Sequence, residues 1–320
     1  MKRETGIVSG LAIMVLLSSC GGGGGGSSVS SPYTGLTSAA VITDNNADEI
    51  ALAAFQGGDL GANMTALAPA RSGDARAAER PIALTLVRLL SEAATAALPV
   101  PSSAHAPVPR TVVTVDNTLS DGAGGTIHLV LSVNDQTGVF NGTFAFTNYH
   151  GESGGIINGP VAVTGYFDVQ AQSITEILFN FQSVRIVDGG EDVTAIGTVD
   201  LMSGTGGGSA ILDIVFVNNV SRKTLWLSNV TLVETNGIDY YDTTLSGRVY
   251  LHDYGCVDMT TLVPFHYLAG NPNPSSGQFV VTGKDNQKVQ LTVVDPTQFL
   301  LDVDTNGDGA WEVTAVVTHW

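Results

Sequence analysis

Between residues 111 and 320 apolar and polar side chains alternate with a period of two. The pattern is plainest at Ile177-Leu178-Phe179-Asn180-Phe181, Leu212-Asp213-Ile214-Val215-Phe216 and Val289-Gln290-Leu291-Thr292-Val293. Val, Ile, Thr, Phe and Tyr dominate these runs, the residue types that suit a half-buried pleated surface. Asn141-Gly142, Asn158-Gly159-Pro160, Asp188-Gly189-Gly190, Asn236-Gly237 and Asn306-Gly307 punctuate them as turns. About a dozen strands are expected at hairpin-like separations, with no helix of ordinary length between them. Parallel pairing needs helical crossovers, so the expectation is a mainly β fold, an antiparallel meander forming a sandwich, a soluble barrel or an extended twisted sheet. Gly165-Tyr166-Phe167-Asp168-Val169, Gly197-Thr198-Val199-Asp200-Leu201, Gly247-Arg248-Val249-Tyr250-Leu251 and Gly277-Gln278-Phe279-Val280-Val281 form a loose repeat. Its uneven spacing reads as recurring hairpins rather than a solenoid.

A short α-helical segment precedes this domain. Residues 33–110 are alanine-rich and end in Pro99, Pro101, Pro107 and Pro109. A helix is expected over residues 46–55, with Asn46 as its cap and Asp48 and Glu49 in the first turn, where the helix dipole favours negative charge. A second is expected over residues 81–97, where Ile82, Leu86, Leu89, Leu90 and Ala93 recur at helical spacing behind Pro81. Its length and Arg88 argue against a membrane span. Residues 56–80 and 98–110 read as linker.

The first residues carry an address. Lys2 and Arg3 precede an apolar run over residues 7–17 that is too short to cross a bilayer, and small residues follow it. Leu17-Ser18-Ser19-Cys20 resembles the lipobox of bacterial lipoproteins. That resemblance implies that residues 1–19 are a cleaved signal peptide, that Cys20 is lipidated and becomes the first mature residue, and that its acyl chains sit in the lipid bilayer. Residues 20–32 then form a Gly/Ser tether of the flexible-coil type. Gly21 stands where the family's inner-membrane proteins carry aspartate, so the resemblance implies the outer membrane.

Charge narrows the partners. Lys+Arg number 13 against Asp+Glu 30, and residues 111–184 hold no Lys or Arg. Nucleic acid is excluded as a partner, because a basic footprint is what neutralises phosphate. An acidic body is not drawn to anionic lipid either, so the lipid alone must hold the protein at the membrane. With Cys20 committed to lipid, Cys256 has no cysteine to pair with, and it reads as a small buried hydrophobe.

The strongest local chemical signal is Asp304-Thr305-Asn306-Gly307-Asp308-Gly309-Ala310-Trp311-Glu312. Ca²⁺ takes oxygens from alternating positions of a tight loop. Asp304, Asn306 and Asp308 supply them here, the Ala310 carbonyl adds one, and Glu312 closes the set. The loop is similar to the calcium loops set in β-hairpins of FG-GAP-type repeats, which implies a structural Ca²⁺ ion. Asp302, just before it, reads as a supporting or outward strand residue. Gly151-Glu152-Ser153-Gly154-Gly155 resembles the nucleophile loop of chymotrypsin-like proteases, and Ser102-Ser103-Ala104-His105 the segment around that family's histidine. Too few residues separate His105 from Ser153 for the family's two barrels, so the first reads as a glycine-rich turn. The six histidines lack zinc spacing; a hairpin could bring His252-Asp253 to His266, but the set reads first as strand-end polar residues. Residues 204–208 lack the Lys-(Ser/Thr) of a phosphate loop. Trp320 ends a strand, as in outer-membrane barrels, but Glu312, Thr314, Val316 and Thr318 are not the apolar row that a lipid-facing strand needs.

These features point to an anchored envelope lipoprotein with a non-enzymatic binding or structural role, whose partner is an envelope protein or a glycan. The alternatives are an envelope hydrolase whose site is assembled from dispersed residues, and an outer-membrane barrel or pore component.

Overall fold

The computed structural model describes residues 32–55, 112–134, 136–150, 155–168, 173–188, 191–204, 206–268, 271 and 273–320. The expected second helix, the signal segment, Cys20, His105 and Ser153 lie outside the described residues. One helix, α1 (Ala47–Phe55), precedes fourteen strands: β1 (Val113–Ser120), β2 (Thr126–Val133), β3 (Val139–His150), β4 (Ile156–Asp168), β5 (Ser173–Asp188), β6 (Glu191–Gly204), β7 (Gly207–Asn218), β8 (Thr224–Asn236), β9 (Tyr240–Leu251), β10 (Gly255–Leu268), β11 (Ser276–Thr282), β12 (Lys288–Asp295), β13 (Gln298–Asp304) and β14 (Val313–His319). They form one antiparallel meander in strict sequence order. The sheet is not closed, and β1 and β14 are its edges. The expected meander is therefore the observed fold, in its open form rather than as a barrel.

Period-two patterning sets the inner face. Ile177, Phe179 and Phe181 of β5, Leu212, Ile214 and Phe216 of β7, and Val289, Leu291 and Val293 of β12 are all buried in one continuous apolar cluster. Each fully buried Phe or Leu contributes roughly 1.5–3 kcal/mol relative to leaving it exposed.

The middle strands are longer than hairpin arithmetic suggests, because bulges let them bend without ending. Register shifts interrupt every pairing from β3 to β11 except that of β6 with β7. A bulge sharpens local twist and bends its strand. Two expected turns are thereby overturned. Asn141-Gly142 lies inside β3, paired on both sides. Asn158-Gly159-Pro160 lies inside β4, where the gap in its ladder with β5 accommodates a proline that cannot donate. The loose repeat marks recurring hairpins as expected, since each run ends a strand that pairs with the next, although its glycines lie within strands, as Gly197 in β6 and Gly247 in β9 show.

The segment ahead of α1 crosses the sheet. The Tyr33 ring packs on the outer face against Trp226 and Tyr250, which themselves stack at 4.3 Å. Leu36 N donates to the His252 carbonyl, Cys256 N to that of Ser38 (2.8 Å), and Ala40 N to that of Cys256 (2.9 Å). Lys284 N donates to the Ala40 carbonyl (2.7 Å), and Ile42 N to Gln287 Oε1 (3.0 Å). Residues 38–42 thus fill the fork where the start of β10 and the end of β11 part. Ala40 and Ile42 emerge into the inner core. Cys256 is buried under this strap, as expected of a small hydrophobe.

Helix α1 then packs against β9, β11 and β12. Ala47, Ala51 and Ala54 allow close approach, and Phe55 meets Phe265 (4.7 Å), Phe279 and Trp320 (5.2 Å). Asn46 does not act as the expected cap. Its Oδ1 accepts from Thr43 N and its Nδ2 donates to the Val41 carbonyl, closing the turn before the helix. Trp320 also covers Phe299 (4.7 Å), a core role for the terminal aromatic.

Candidate metal centre and polar clusters

The Asp304–Glu312 loop joins β13 to β14, and Glu312 N closes it on the Val303 carbonyl (2.9 Å). Asp304 is 1% exposed. Its Oδ1 accepts from Gly307 N (2.6 Å) and its Oδ2 from Gly309 N (2.9 Å). Asp308 Oδ1 accepts from Ala310 N (2.8 Å), while Asn306 Oδ1 accepts from Asp308 N (2.8 Å). Glu312 reaches back across the loop, where Oε2 accepts from Thr305 N (2.7 Å) and Oε1 from Asn306 Nδ2 (2.6 Å).

The fold therefore gathers the sequence-derived residues. Carboxylate oxygens of Asp304, Asp308 and Glu312 lie within 4.8 Å of one another. Three negative groups at that spacing repel by on the order of 1 kcal/mol per pair in water, and more where solvent is excluded. No Lys or Arg pairs with any of them among the described residues. A hard divalent cation would offset this repulsion, and Asp304, Asp308 and Glu312 could hold one, whereas Asn306 has its Oδ1 on Asp308 N and its Nδ2 on Glu312. Ala310 contributes its backbone N–H to Asp308. Two neighbours brace the loop: Gln287 Nε2 donates to the Thr305 carbonyl (2.6 Å), and Asn286 Nδ2 to that of Gly307 (3.2 Å). Asp302 stands outside the cluster. It accepts from Ala315 N (2.9 Å) and so holds that residue's positive φ of 55° in β14.

His252-Asp253 and His266 do not meet across a hairpin but lie in separate polar clusters at opposite ends of β10. His252 Nδ1 lies 3.2 Å from Thr224 Oγ1, and Asp253 pairs with Lys223. His266 instead meets Asp242 of β9, Nδ1 to Oδ1, at 2.7 Å. The Tyr240 ring packs on it at 4.7 Å. On its other side Ser276 of β11 is its register partner. Asp242, His266 and Ser276 thus occupy one cross-strand row on the outer face, a grouping far apart in the chain and created only by register.

Three carboxylates are held well below their ordinary range. The backbone N–H of His150 and then its imidazole (2.8 Å) hold Asp121 down, with Ala123 N and Gly125 N adding to the effect. Asp192 falls to about 2, first through the bidentate Arg185 guanidinium and then through Asn219. Asp295 falls to about 2 through the hydroxyl and N–H of Thr297 and the Gln298 amide. All three fix turns. Asp200 goes the other way, raised by burial and then by nearby Glu176. No helix among the described residues is long and apolar enough to cross a membrane. Comparison with protein-family models, curated proteins and solved structures finds no match.

Proposed function

We propose that this chain is a lipid-anchored protein of the bacterial outer membrane whose broad sheet serves as a non-enzymatic binding surface, with a structural Ca²⁺ ion in the Asp304–Glu312 loop. One observation carries the reading. The chain that follows the tether is built into the fold, with Tyr33 on the outer face and residues 38–42 wedged between β10 and β11. A load on an anchor at Cys20 would pass through the Gly/Ser tether directly into the sheet. The sheet itself offers a long exposed face of the kind that engages an envelope protein or glycan.

The Asp242, His266 and Ser276 row favours a second reading, a hydrolase. A carboxylate on Nδ1 orients an imidazole, and a serine beside it is the group such an imidazole activates.

One preparation separates them. Cys20→Ser should release the protein from the membrane fraction, and unchanged partition would overturn the anchor. Purified protein should leave peptide, ester and glycan substrates intact. Turnover abolished by His266→Ala and by Ser276→Ala would replace binding with hydrolysis.

A further inference from the structure

Charge is divided between the two ends of the sheet. All six Lys and Arg among the described residues, Arg185, Arg222, Lys223, Arg248, Lys284 and Lys288, lie in or near the turns that follow β5, β7, β9 and β11. Four of them are paired with carboxylates there. The opposite end, with the turns that follow β4, β6, β8, β10 and β12, has no Lys or Arg among the described residues. It carries Glu176, Asp200, Glu234, Asp239, Asp242 and Asp295.

At that acidic end the outer face is also apolar. Tyr166, Glu176, Met202, Ser209 and Val233 are successive register partners from β4 to β8. The adjacent row holds Leu178, Asp200 and Ile211, again in direct register. Tyr166, Leu178, Met202 and Val233 are 37–43% exposed. Asp200 stands between Leu178 and Ile211, and its Oδ1 is buried with no hydrogen-bond partner. An unpaired buried acceptor costs free energy, and a positive charge brought to this row offsets part of that cost.

We infer that this strip, with Tyr166, Leu178, Met202 and Val233 around the carboxylates of Glu176 and Asp200, is a docking surface for a protein partner that presents Lys or Arg from an apolar face. The aliphatic stem of such a residue lies on the apolar row while its charged head pairs with the exposed Glu176 carboxylate and so neutralises the Glu176 and Asp200 pair. Among the described residues nothing basic nearby competes for the carboxylates. A second copy fits poorly, because it would set acid against acid. This inference names a partner class for the binding role proposed above and rests on it. The titration below does not depend on membrane partition, so either can fail alone.

The test uses the purified full chain and three ten-residue probe peptides that alternate Leu with Lys, Ser with Lys, and Leu with Glu, followed by calorimetry near physiological salt. The Leu/Lys peptide should bind saturably at one site. The Ser/Lys peptide should bind about tenfold or more weakly, and the Leu/Glu peptide not at all. The Asp200→Asn, Glu176→Gln double variant and the Leu178→Ser, Met202→Ser double variant should each lose about tenfold in affinity, whereas Val317→Ser on the outer face of β14 should lose none. All substitutions are on the outer face, and an unchanged near-ultraviolet spectrum confirms folding. Absent binding, equal binding of the Ser/Lys peptide, or binding indifferent to both double variants would overturn the inference. Self-association abolished by Leu178→Lys would assign the face to a second copy and overturn it too.

Discussion

At Gly197 a Cβ would lie 2.2 Å from the Asp213 carbonyl oxygen and 2.7 Å from Ile214 Cα, both backbone atoms of the neighbouring strand, and the residue's φ is +138°. Neither atom can step aside without shifting β7. Gly206 also has a positive φ (+82°), but open space surrounds its Cα. Gly197→Ala should therefore destabilise by roughly 3 kcal/mol or more, whereas Gly206→Ala should cost roughly 1 kcal/mol, the left-handed backbone alone. Urea unfolding of the two variants checks this, and equal losses would refute the close-approach argument. The pair also shows what the residues make legible. Alternating Phe, Val and Leu foretold the inner face of β5, β7 and β12, because burial writes directly onto period two. Glycine foretold less. Its local preference for turns is the same whether it ends a strand or lets one bend, and only the partner strand decides between the two. Asn141-Gly142 and Asn158-Gly159-Pro160 were unreadable for that reason.

Among elements, the β13–β14 loop was the most legible, since its donors are contiguous and their spacing alone brings Asp304, Asp308 and Glu312 together. The row of Asp242, His266 and Ser276 was not, because two separate registers must be known to see it. Nor was the strap, whose residues have no periodicity and take their structure from the fork they fill. Gln287 joins loop to strap. Its Oε1 accepts from Ile42 N and its Nε2 donates to the Thr305 carbonyl. A cation bound at a hundredfold over its dissociation constant stabilises by about 2.7 kcal/mol, which for a domain of this size is a shift of about 5–10 °C. Chelator should lower the melting temperature by that order, and Asp308→Ala should remove the sensitivity. A melting temperature indifferent to both calcium and chelator would remove the ion from the proposal.

For the molecule as a whole, acid is the revealing stress. Asp121, Asp192 and Asp295 are held below their ordinary values, the last two at about 2, so each favours the fold when ionised. Their contribution is complete above roughly pH 4, the ordinary carboxylate value, and is lost as pH falls through the folded values. Asp200 has the opposite sign, since its raised value means the fold prefers it protonated. Melting temperature should therefore decline from pH 4 to pH 2, and less steeply in Asp192→Asn. A profile unchanged by that substitution would contradict the role given to the Arg185 and Asn219 contacts.

The strap also bears on the order in which the fold is completed. Thr34 bonds a residue 190 positions later and Ile42 one 245 positions later. A chain made from its N-terminus must hold residues 33–42 unplaced until β10, β11 and Gln287 have emerged, and contacts that close such long loops form slowly. The segment ahead of α1 is thus among the last to be secured, and a chain cut short before β11 would leave that fork without its second side.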